Sequence, residues 1–164
     1  MFISRIFVGL ICAVLMFASI DAAQRGTETG VAVSMTLKVA GQPYTFNGKG
    51  ACTYAPVAYI YGSRAQQWRV EGNDSKGSAS LTLWRPAAGP GDMFSLYVAT
   101  GSQSHVVNTV KTSGGGTVEG SGKVTFTPAG SGGMFTIDAK AAKGGTISGT
   151  MKCSSFSAAV AEGG

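Results

Sequence analysis

Between residues 31 and 153, apolar and polar side chains alternate singly in short runs, and glycine interrupts the runs before they grow long. A period of two is what a strand with one buried and one wet face requires, whereas a helix repeats its apolar positions every three or four residues. The chain is therefore expected to fold as all-β. Glycine makes up 25 of 164 residues, roughly twice its ordinary share, and it falls between runs rather than at helix ends, which makes it turn punctuation.

The alternation marks strands over 31–39, 43–47, 51–54, 57–61, 67–71, 78–84, 93–99, 105–111, 117–127, 134–139 and 146–153. Polar, glycine-rich and proline-containing stretches at 72–77 and 87–92 read as loops. A single helical turn near 63–66 is the most the pattern allows. Many short strands at even spacing imply one antiparallel β-sandwich or flattened barrel. The alternation also assigns faces. Val31, Val33, Met35, Leu37 and Val39 share one face of the first run. Leu81 with Leu83, Phe94 with Leu96 and Val98, Val124 with Phe126, Phe135 with Ile137, and Ile147 with Met151 point inward by the same rule, and Cys153 follows Met151 in register.

The first residues carry a separate message. Arg5 precedes an apolar run from Ile6 to Ala18, followed by small residues through Ala23. This is the layout of a removable secretory signal, including a signal helix, over 1–22, with a cut after Ala18 as the alternative. A helix of about 13 residues is too short for the roughly 30 Å hydrocarbon core. No comparable run follows, so no transmembrane segment is expected in the mature chain. Cys12 follows Ile11, with no small residue directly before it, and the apolar run continues past it, so it leaves with the signal. Cys52 and Cys153 remain, in a compartment where disulfides persist, with neither metal-site neighbours nor a Cys-x-x-Cys motif. They are expected to pair. The remainder, 23–164, is about 140 residues, enough for one domain with its own core; 24–30 and 158–164 read as loose ends.

The net charge is +5, but the basic residues between Lys38 and Lys152 stand singly instead of forming a phosphate-tracking stripe. No specific nucleic acid is expected as a partner. Catalytic patterns are sparse. There is no Gly-x-Ser-x-Gly elbow, and Gly120-Ser121-Gly122-Lys123 lacks both the leading glycine and the hydroxyl of a phosphate loop. One histidine, His105, serves neither a triad nor a zinc site, and Asp138 faces away from Ile137. No cofactor or metal is expected. The distinctive cluster is aromatic: Tyr54, Tyr59, Tyr61 and Trp68, with Arg64 and Arg69 interleaved. Tyrosine and tryptophan join an apolar body to a polar tip, which suits sugar or peptide contacts as well as a sandwich core. Tyr59 and Tyr61 share a face with Val57 while Ile60 takes the other, so one of the two faces is core.

The segments Gly120 to Phe126, Gly133 to Ala139 and Gly144 to Cys153, with the early Cys52-Thr53, resemble small secreted bacterial proteins of unassigned function. More distantly they resemble the mycobacterial surface lipoprotein antigens, from which the chain departs in lacking a lipid-bearing cysteine. The resemblance covers roughly a third of the chain and implies a compact β-sandwich displayed at the cell envelope. It transfers no functional residue. The expected function is binding or display in the periplasm or outside the cell, with an envelope glycan, lipid or protein as partner and without catalysis. The alternative is a structural subunit that adds strand 31–39 to a neighbour's sheet edge; an enzyme of unfamiliar type comes third.

Overall fold

The computed structural model describes residues 30–89 and 91–161. The expected leader over 1–22, the residues 24–29 and the last three residues lie outside them. The described residues form ten strands and no helix: β1 Val31–Val39, β2 Gln42–Ile60, β3 Ser63–Asp74, β4 Gly77–Pro86, β5 Met93–Thr100, β6 Gln103–Asn108, β7 Ser121–Ala129, β8 Gly132–Lys140, β9 Thr146–Cys153 and β10 Ser157–Ala158. They make one sheet in the order β6-β5-β4-β3-β2-β1-β9-β8-β7, with β10 against β2. All neighbours on that path are antiparallel, and β10 alone runs parallel to its partner.

The sheet nearly closes as a barrel, the flattened form of the expected architecture. The two ends of the order meet where Asn108 and Glu119 exchange backbone hydrogen bonds of 2.7 and 2.8 Å, and where the Ala142 N–H donates to the Val106 carbonyl at 3.1 Å. On the opposite side the sheet turns a corner within β2. Its first half, 42–50, pairs with β1 and its second, 51–60, with β3. Gly50 sits at that corner because a Cβ there would run into the Glu71 carbonyl oxygen. The sequence reads this strand as three pieces, 43–47, 51–54 and 57–61, since Gly48, Gly50 and Pro56 look like stops. In the fold the glycines permit the bend, and Pro56 occupies a bulge between Ala55 and Ala58 where the ladder is interrupted.

Other boundaries shift for identifiable reasons. The helical turn expected at 63–66 is instead the start of β3, which pairs with β2 from Ser63 onward. Beyond β6 the chain leaves the ladder, because the Asn108 side chain accepts the Val110 N–H at 3.2 Å and Thr109 Oγ1 accepts the Phe94 N–H at 2.8 Å. Residues 109–120 thus form a connector rather than the ends of two strands.

Inside, the predicted faces hold: Val33, Met35, Leu37, Leu81, Leu83, Leu96, Phe135, Ile137, Ile147 and Met151 are buried in one core cluster. Cys52 and Cys153 are bonded within it, 101 residues apart in sequence and 6.2 Å apart at Cα. Cys153 pairs in register with Val33, and Cys52 lies two residues past Gly50, the partner of Val31. The bond therefore closes the corner at which β1 enters the sheet.

Candidate functional site

The outer face of the β2–β6 half carries a concavity. Inward Leu81 and Leu83 force Ser80, Thr82 and Trp84 outward, and the strand register then sets the rungs of this face. One rung is Gln67, Trp84 and Met93; the next is Arg69, Thr82, Ser95 and Asn108; the third is Glu71, Ser80, Tyr97 and Val106. A groove of about 720 Å³ lies over the first two, lined by Tyr61, Gln67, Arg69, Thr82, Trp84 and Ser95 among others. A second hollow of about 610 Å³ adjoins it, sharing Ala51 and Glu71, and continues past Ser80 and Tyr97.

Two segments raise walls over what is otherwise an open sheet face. The C-terminal segment runs beside β2, with the Ser157 hydroxyl donating to the Cys52 carbonyl at 3.1 Å and the Ala159 N–H to the Tyr54 carbonyl at 3.0 Å. Ala161 then covers Ala55 and Ala58. Part of the expected loose end, 158–161, is thus docked. At the other side the 109–120 connector lowers Val110 onto Ile60, Ala65 and Met93, and Trp84 packs against this small apolar cluster. Trp84 is consequently held in place while remaining half-buried.

The charges on the second and third rungs pair with each other. The Arg69 guanidinium bonds the Glu71 carboxylate, with Nε donating to Oε1 at 2.9 Å. Two further carboxylates have structural work. Asp92 holds Arg85 through Nη2 at 2.8 Å and pushes that guanidinium further up from its ordinary range by hydrogen bonding. Asp74 accepts the N–H groups of Lys76 and Gly77 at the β3–β4 turn. Among the described residues no three His, Cys, Asp or Glu side chains stand together as a metal site. No helix among them is long and apolar enough to cross a membrane.

The six residues singled out from the sequence divide. Tyr54 and Trp68 stack inside the barrel at 5.0 Å between ring centroids, Trp68 only 6% exposed. Phe126 continues the stack at 5.1 Å, Arg85 lies 5.3 Å over the indole, and Gln66 Nε2 donates to the Tyr54 hydroxyl. Tyr59, Tyr61 and Arg69 line the groove, the two tyrosines 41% and 56% exposed. Arg64 is exposed opposite Tyr59 in the ladder and does not line it. Ile60 is the buried member of its run, so Val57, Tyr59 and Tyr61 hold the exposed face. Sequence reading passed over Gln67, Thr82, Trp84, Ser95, Tyr97 and Asn108. The signal for Thr82 and Trp84 was present in the inward assignment of Leu81 and Leu83.

Comparison of the chain with protein-family models, with curated proteins and with solved structures finds no match.

Proposed function

We propose that this chain is an exported binding protein whose outer-face groove over β3, β4 and β5 takes a ligand of the cell envelope or its surroundings. The observation that supports this most is the groove itself. A bare outer face of a barrel is convex and shallow, yet here a docked C-terminal segment and a connector wall off hydroxyl, amide and aromatic side chains. The disulfide fits an oxidising compartment. Glu71 and Asp92 are held in ion pairs and Asp74 caps a turn, which suits these groups to shaping a recognition surface. The resemblance to secreted envelope proteins points the same way.

Strand addition through 31–39 is disfavoured because β1 is hydrogen-bonded along both edges, to β2 and to β9. β7, at the end of the sheet order, carries Lys123 and Pro128, residue types that blunt an edge against pairing. A thermal-shift screen of the disulfide-intact protein against glycans, lipid vesicles and peptides tests the reading. Ligands that stabilise the protein should lose their effect in Ser95→Lys, which places a long cation in the groove floor. Equal responses of both proteins to every compound would overturn it.

A further inference from the structure

Resting on the groove as a binding site, the layout of its floor and of the adjoining hollow specifies the ligand, and we infer that it is a neutral oligosaccharide of several units. Trp84 and Tyr97 stand on adjacent strands of the same face. Trp84 pairs with Met93, and Tyr97 lies four residues further along β5, opposite Ser80. Strand geometry then places the two aromatic residues about 14 Å apart at Cα. Trp84 is half-buried and fixed by the apolar cluster behind it, while Tyr97 is 41% exposed.

Between them runs the rung of Arg69, Thr82, Ser95 and Asn108. It offers hydroxyls, an amide and the outward parts of a guanidinium already neutralised by Glu71. Aromatic faces at two ends and neutral donors and acceptors between them match the two chemistries of a sugar chain, its C–H faces and its hydroxyls. The spacing exceeds a single ring, so the occupant is an extended chain. An anionic polymer would need unpaired cations, and the Trp84 end supplies none among its lining residues, Arg69 being paired; Lys49 lies only at the far hollow. An acyl chain or apolar peptide would leave the central polar rung without partners, which is costly.

Isothermal titration of the disulfide-intact protein decides the matter, with malto-, cello-, laminari- and chitohexaose as neutral probes and with their disaccharides. Polygalacturonate, phosphatidylglycerol vesicles and a hydrophobic decapeptide serve as the contrasting classes. The expected result is binding of at least one neutral hexasaccharide, with its disaccharide much weaker. Tyr97→Ala, at an exposed site, should weaken that binding up to about tenfold, and Ser95→Lys should abolish it, with thermal melts confirming that both variants fold. Binding of a contrasting probe alone, lost in Ser95→Lys, would overturn the oligosaccharide while leaving the groove as the site. A hexasaccharide bound equally by both variants, or no response to any probe, would overturn the assignment of the groove itself.

Discussion

Tyr54 and Trp68 lie within a few residues of Tyr59 and Tyr61 on the same hairpin, yet the two pairs have opposite fates. The first pair is stacked into the barrel beneath Phe126 and Arg85, and the second stands at the rim of the outer groove. The bulge at 55–58 and the turn at Tyr61-Gly62 intervene between them. Residue type thus does not sort the aromatics here. Nor does parity along the strand, since the bulge leaves Tyr59, the partner of Arg64, on the face that Gln66 and Trp68 share. Position along the hairpin does, with the stacked pair on one side of the bulge and the exposed pair beyond it.

The contrast between an inner set that holds the fold and an outer set that faces solvent is open to measurement. The largest effect belongs to the bond joining the inner corner. For a closed loop of about 100 residues, chain entropy gives roughly 4 to 5 kcal/mol, a large share of the 5 to about 15 kcal/mol that a domain commonly holds. Reduction, or Cys52→Ala with Cys153→Ala, should lower the denaturant midpoint accordingly. An unchanged midpoint would show that the corner is held by packing alone.

Next in size is the direct test. Trp68→Ala should cost about 3 to 5 kcal/mol, whereas Tyr61→Ala, at a site 56% exposed, should stay within about 0.5 kcal/mol. Similar losses in urea titrations would erase the distinction.

Tyrosine itself supplies a third comparison, between Tyr44 inside and Tyr97 outside. Tyr44 is buried, its hydroxyl makes no hydrogen bond among the described residues, and burial with the nearby Asp74 carboxylate raises its pKa above the ordinary 10.0. The neutral phenol is favoured in the fold, so this contribution is fully present below pH 10 and is lost as pH rises through the raised value. Tyr44→Phe should be neutral or stabilising by up to about 1 kcal/mol near pH 7, and should resist alkaline unfolding better than wild type. Tyr97→Phe, at a site 41% exposed, should leave stability near pH 7 within about 0.5 kcal/mol of wild type. A Tyr44→Phe variant that unfolds with the same alkaline midpoint as wild type would contradict the assignment.

The smallest effect concerns Asp92→Asn. Arg85 and Asp92 form a solvent-exposed pair, for which about 0.2 to 1 kcal/mol is typical. The loss should shrink with added salt, and the fluorescence of Trp68 should shift as the guanidinium above it loosens.

The barrel was largely legible because alternation reports burial directly. Val33, Met35, Leu37, Leu81, Leu83, Ile137 and Met151 needed nothing beyond a period of two, and the disulfide needed only two leftover cysteines, one of them in inward register. The long β2 was not legible, because Gly50 looks the same in a sequence whether it ends a strand or lets it bend around a neighbour's carbonyl. The groove was legible only in fragments. Its floor combines outward residues of β3, β4, β5 and β6, whose adjacency comes from pairing and not from proximity along the chain. Its walls come from residues 109–120 and 159–161, whose docking depends on single hydrogen bonds and a few alanine contacts that leave no periodic trace.

The position of β1 has a kinetic consequence. Its first partner, β2, follows at once, but its second, β9, begins at Thr146, so the earliest of the described strands waits for more than a hundred further residues before both its edges are satisfied. Sheets that depend on such distant pairings have high contact order and fold on the order of milliseconds to seconds. Throughout that interval Val33, Met35, Leu37 and Val39 present an apolar row beside an unpaired backbone, which makes β1 the place where this chain is most open to aggregation or to capture by a chaperone.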